Sequence, residues 1–247
     1  AALMIALGTQ TVALGGLMVE GLSPPQYATG ATIKAAASAA AGLLLGAVVL
    51  YLLADFGWIV VIGALLAVST TLLVVAITAL DFGDRIDPGP PPNALAQFSI
   101  FGRAGPRALF AASILLSMAA LLPYAAKSIL LIDAGFSVSE GGLIGIVFGS
   151  GFGVVGALTA RAAIPRIGAV RVMGGLGFGN LVVALGMALF LSKDLSAPVV
   201  VTGVLWANFA VFATFTANRS LLMQLCQPGR QATEMATFAS LEAIVFL

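Results

Sequence analysis

Eight apolar runs, at about 1–19, 30–54, 57–80, 108–132, 141–160, 172–192, 197–217 and 232–247, take up most of the chain, and its basic residues alternate with them. The gaps after the first, third, fifth and seventh runs hold Lys34 (at the start of the second run), Arg85, Arg103, Arg107, Arg161, Arg166, Arg171, Arg219 and Arg230. The other gaps hold a single basic residue, Lys193, beside Asp55, Asp133, Glu140 and Asp194. Nine of the eleven Lys and Arg residues therefore lie on one parity, the bias that orients polytopic proteins with their basic gaps in the cytoplasm. Each run approaches the ~20 residues a helix needs to cross the hydrocarbon core. Lipid offers no partner to a free N–H or C=O, so a span is either a helix or a strand of a closed barrel. The runs are about twice as long as barrel strands. The expectation is an all-α, polytopic helical membrane protein, multi-pass in the inner membrane of the cell.

Composition closes off the alternatives. With 60% hydrophobic and 9% charged residues, a soluble domain of this length has too little polar surface to cover itself. The net charge of +1 offers no basic face for nucleic acid. One cysteine, Cys226, and no histidine exclude a disulfide framework and the familiar zinc, haem and di-iron sites, so neither cofactor nor metal is expected. The sequence begins and ends inside apolar runs, as expected of a piece of a longer protein.

One stretch, 81–107, is long, charged and Pro-rich, the composition of a linker rather than a packed element. It leaves three spans in 1–80 and five in 108–247. Many transporters join two six-helix halves by one long cytoplasmic loop, each half being built of three-helix repeats. On that template the visible spans are the fourth to the eleventh of twelve. Gly141, Gly145, Gly149, Gly153 and Ala157 recur every four residues, which on a straight helix makes one smooth packing ridge. Gly175 with Gly179, and Ala35, Ser38, Ala41 and Gly42, offer similar surfaces.

Two motif matches are set aside. Gly151-Phe-Gly153-Val-Val-Gly156 fits a dinucleotide fingerprint, but that motif works between a strand and a helix N-terminus in water, not inside a span. Asn218-Arg-Ser220 fits a glycosylation acceptor but falls on the cytoplasmic parity.

Four other stretches carry a resemblance. Arg161-Ala-Ala-Ile-Pro165-Arg166-Ile-Gly168-Ala-Val-Arg171 is a short basic turn after the fifth run. Thr9-Gln10-Thr11-Val12-Ala13, with Gly15, Gly16 and Leu22-Ser-Pro24, lies in and after the first run. Leu131-Ile-Asp133-Ala-Gly135-Phe136-Ser137-Val-Ser139-Glu140 follows the fourth. Leu225-Cys226-Gln227-Pro228, Ala232-Thr233 and Ser240 span the last gap. Together they resemble the major facilitator superfamily, in the group holding muropeptide permeases (AmpG type), acetyl-CoA carriers and siderophore uptake permeases (RhtX/FptX type). The resemblance implies a 6+6 helix bundle seen here over about eight spans. Arg161, Arg166, Gly168 and Arg171 would then belong to a cytoplasmic gating loop, with Arg161 and Pro165 departing from the Gly and Asp of the family's loop. Thr11 and Gly15 replace both acidic positions of the first signature, which leans the expectation towards the siderophore branch.

Polar groups inside spans are the functional candidates, because an unpaired charge in the bilayer core costs at least about 2.5–3.5 kcal/mol. Glu242 lies ten residues past Ala232, roughly 15 Å into its run, and is the proton-coupling candidate. Tyr124 and Lys127 share a helix face, with Ser128 nearby, and suit an anionic or phenolate-bearing solute. Thr9, Gln10 and Asn208 complete the cavity candidates. On the family template all five lie on cavity-lining spans.

The expected function is secondary active transport of a medium-sized organic solute, siderophore-like first and muropeptide-like second, by alternating access with proton coupling. A non-transporting assembly factor or sensor on the same fold is the alternative. An intramembrane enzyme would need paired aspartates, a His-Glu metal motif or a Ser-His pair, and the visible runs hold none.

Overall fold

The computed structural model describes residues 2–79, 98–191, 196–227 and 230–246, and every regular element among them is a helix. In chain order these are α1 (Ala2–Gly21), α2 (Tyr27–Ala79), α3 (Ala104–Asp133), α4 (Val138–Ile167), α5 (Ala169–Leu191), α6 (Ala197–Leu225) and α7 (Gln231–Phe246). Among the described residues, six stretches are long and apolar enough to cross a membrane: Pro24–Gly46, Asp55–Val75, α3, α4, Ala169–Met187 and α6. The protein is thus a multi-pass helical membrane protein. Within α1 a shorter apolar helix, Val12–Gly21, is described, and α7 has 16 residues.

The second and third runs form two helical arms of α2 that meet at Gly57 (φ 76, ψ 179), the residue whose dihedrals are not helical. A straight helix would separate Ser38 from Leu72 by about 50 Å at ~1.5 Å per residue. Both line one cavity, with Ile33 and Ala37, so the chain doubles back at Gly57. The left-handed φ is the kind only glycine adopts without strain, which is why the turn needs no loop. The returning arm carries exposed Trp58, Ile59, Ile62, Leu66 and Leu73, as a lipid-facing helix should.

Helix α6 is the axis of the bundle and packs on α2, α3, α4 and α5. Its close approach to α4 depends on glycines. A Cβ on Gly149 would fall 2.7 Å from Asn208 Nδ2, one on Gly153 would fall 2.5 Å from the Phe212 ring, and one on Gly156 would meet the Phe209 carbonyl oxygen. The expected single ridge is divided. A π-helical turn at Leu143–Phe148 changes the residues per turn within α4. Gly141 and Gly145 accordingly face Leu131 of α3, while Gly149 and Gly153 face α6. Gly175 meets open space, and of that pair only Gly179 packs, against Trp206.

The connections are built from caps. After α3, Gly135 takes a positive φ of 87°, and the Phe136 N–H returns to the Leu131 carbonyl at 3.1 Å. Ser137 and Glu140 then form a reciprocal capping box at the start of α4. Gly168, at φ 85°, closes α4 and starts α5 with no further loop.

At the end of the bundle where α6 stops, a core of Val19, Tyr27, Ile100, Phe110, Leu222 and Phe238 joins α1, α2, α3, α6 and α7. Ile100, fully buried in a 3-10 turn at Phe98–Gly102, belongs to it. The closing part of 81–107 is therefore packed structure rather than linker, and α3 begins at Ala104. Residues 81–97, including Arg85, lie outside the described residues, as do Lys193 and Asp194.

Candidate functional site

Two cavities are stacked along one face of α2, the first lined by two cationic side chains and the second by one. The first, about 280 Å³, is lined by Ala31, Lys34, Ala35, Ser38, Phe212, Phe215 and Arg219. The second, about 340 Å³, lies between α2, α3 and α4, lined among others by Gly42, Gly46, Tyr124, Lys127, Gly145 and Ser150. Small residues at the spacing of helical turns, from Ala35 to Gly46, leave the room for both. The π turn of α4 supplies Gly145 and Ile146 to the second cavity.

Between the two cavities stands an aromatic pair. Phe212 lines the first and Tyr124 the second, and their rings meet edge to face at 6.4 Å. Phe215 extends this partition at 6.3 Å from Phe212. The Phe212 ring seats against Gly153 of α4, where a Cβ would fall 2.5 Å from it.

Lys127 points inward. Its ammonium lies 3.7 Å from the centre of the Tyr124 ring, a cation–π contact, and its stem passes Gly145. Ser128, on the other side of α3, is exposed and contributes nothing to this cavity. Asn208 is fully buried but lines neither cavity: its amide donates to the Val204 carbonyl at 2.9 Å and fills the notch at Gly149. It works as a packing residue of α6 on α4. The side chains of Thr9 and Gln10 lie outside the described residues.

Glu242 is paired. Arg219 Nη2 reaches its Oε2 at 2.8 Å, and the Asn218 amide donates to its Oε1 at 2.6 Å. Sequence reading left Glu242 as an orphan, because Arg219 fell in a gap and Lys34 at a run's edge. Helix α6 in fact continues to Leu225, so Arg219 sits about 9 Å inside its end at ~1.5 Å per residue. Lys34 lies seven residues into α2. The signal was available in length: the apolar run 197–217 lacks any helix-ending residue until Gln227-Pro228.

A second missed group is Glu234, buried in the first turn of α7. It accepts from Arg103 at 3.3 Å through both oxygens and from the Gln227 N–H at 2.8 Å. The pair ties the segment before α3 to α7. By contrast Arg161, Arg166, Gly168 and Arg171 are exposed, and none of the three arginines has an ion-pair partner among the described residues.

At Gly15, one of the two positions where the resemblance has an acidic residue, an added Cβ would lie 3.5 Å from Met235 Cγ, and one on neighbouring Gly16 would lie 3.6 Å from Ala232 Cβ, both ordinary van der Waals distances between α1 and α7. Comparison of the chain with protein-family models, with curated proteins and with solved structures returns no match.

Proposed function

We propose that this chain belongs to a secondary active transporter, of the 6+6 arrangement of the major facilitator superfamily. It would move a medium-sized organic solute across the inner membrane by alternating access. A siderophore-like solute is the first choice and a muropeptide-like one the second, with 81–107 and the arginines near Gly168 on the cytoplasmic face.

One observation carries this reading: two cation-bearing cavities follow each other along α2, parted by the Tyr124–Phe212 pair. Alternating access needs a route through the bilayer that is never open along its whole length, and side-chain partitions between successive cavities provide that. Buried charges inside spans, costly in any static role, suit a site that binds and releases. Glu242, held by Arg219 and Asn218, is the group through which proton binding would couple to solute movement.

The test is flux into proteoliposomes of the full-length protein, with and without an inward pH gradient, using ferric hydroxamate and catecholate siderophores and an anhydro-muropeptide. Saturable uptake accelerated by the gradient is expected. Absence of flux for every solute under both conditions would sink the proposal.

A further inference from the structure

We propose that Lys34 and Arg219 form a binding site for an anionic oxygen group, a carboxylate or phosphate, presented into the 280 Å³ cavity between α2 and α6. That the anion belongs to a transported solute rests on the reading above; that an anion binds here does not.

Charge count within the cluster is the starting point. Lys34 and Arg219 bring two positive charges and Glu242 one negative charge. Both Glu242 oxygens are engaged, Oε2 by Arg219 and Oε1 by Asn218. Lys34 Nζ, shielded from solvent, has no hydrogen-bond partner among the described residues, and neither has Arg219 Nη1. Three ammonium protons and one guanidinium edge are thus left without acceptors in a low-dielectric interior, where an acceptor has its greatest value. The lining residues of this cavity include no acid, and neither do those of the larger cavity that Lys34 also borders.

The shape of the space narrows the ligand. Its volume matches about nine waters at ~30 Å³ each, enough for a benzoate-sized group. Phe212 and Phe215 form its wall opposite Ala31 and Ala35, so the body of the ligand next to the anion meets apolar surface. Ser38, one turn from Lys34, adds a hydroxyl whose own hydrogen bond goes to the Lys34 carbonyl at 3.0 Å. The Glu242–Arg219 pair keeps the guanidinium fixed, so one of its edges is already oriented when the ligand arrives.

Thermal unfolding of the purified full-length protein in detergent provides the test, with benzoate, phenyl phosphate and inorganic phosphate as probes and benzamide as the neutral control. Benzoate or phenyl phosphate is expected to raise the midpoint with concentration, and benzamide to leave it unmoved. Lys34→Gln is the decisive variant, because Lys34 has no hydrogen-bond partner to lose among the described residues. It should weaken the apparent Kd at least about tenfold. Arg219→Gln breaks the ion pair with Glu242, so the Arg219→Gln/Glu242→Gln double variant serves in its place and should also lose anion binding. The site is overturned by equal stabilisation from benzamide, by no stabilisation from any anion, or by Lys34→Gln binding as wild type. Stabilisation by inorganic phosphate as strong as by phenyl phosphate overturns the organic ligand. Anion binding as expected, with no flux in proteoliposomes, overturns transport and leaves this site standing.

Discussion

Arg219 and Glu242 are both removed from water, so losing one costs more than the pair is worth. Each ion has lost its hydration, and only its partner's field offsets that loss. Glu242→Ala is expected to lower stability by about 3 kcal/mol, and the Arg219→Gln/Glu242→Gln double variant to recover most of it. Unfolding in graded SDS measures both. Cys226 gives a second outcome. Burial pushes its thiol up to about 12, from 9.0 when free. The folded thiol stays protonated across the neutral range, and maleimide should react slowly, its rate climbing about tenfold per pH unit with the small thiolate fraction and rising many-fold on denaturation. The unfolded thiol ionises near 9.0 and the folded one near 12, so stability should fall as pH rises through that window. A charge in an apolar run announces itself, which is why Glu242 and Lys127 could be picked out of the sequence. The partners of Glu242 could not, because a basic residue near the end of a run reads as an orienting charge whether it sits in water or one turn inside.

Helix α4 meets α6 backbone to backbone at Gly156, where the Phe209 carbonyl oxygen occupies the space a Cβ would take. Backbone cannot step aside as a side chain can. Gly156→Ala should therefore separate the two helices and cost about 1–3 kcal/mol, whereas Gly151→Ala, which faces open space, should be neutral or slightly stabilising. Thermal unfolding of the two single variants checks the contrast. The every-fourth-residue glycines were visible in the sequence, but their division between α3 and α6 was not. A π turn leaves no compositional mark, and one extra residue per turn is enough to rotate everything beyond it. The stretch 131–140 shows the reverse case. It was read by resemblance, and its Gly135, Ser137 and Glu140 prove to be a helix stop, an N-cap and the third residue of a capping box. Physical chemistry alone accounts for those residue types at those spacings.

Helix α2 meets α4 where a Cβ on Gly42 would fall 3.1 Å from Ser150 Oγ, beside the Tyr124–Lys127 cavity. If transport opens this seam, a Gly42→Cys/Ser150→Cys pair, once oxidised, should abolish flux, and a reductant should restore it. Flux that survives complete cross-linking places the moving seam elsewhere. The helical fold and the number of runs were legible because the bilayer imposes length and apolarity on every span. The packing order of those spans was not, since lipid-facing and helix-facing surfaces are both apolar and differ mainly in side-chain size. The Gly57 turn reaches beyond the finished structure. Because no polar loop separates the two arms of α2, the tip between them amounts to Asp55, Phe56 and Trp58 about a single glycine. The insertion machinery therefore handles 24–75 as one object, and neither arm has a stable topology without the other. A charged insertion at Gly57 should be felt first as a defect in biogenesis, in how much protein reaches the membrane, before any change in what the protein does there.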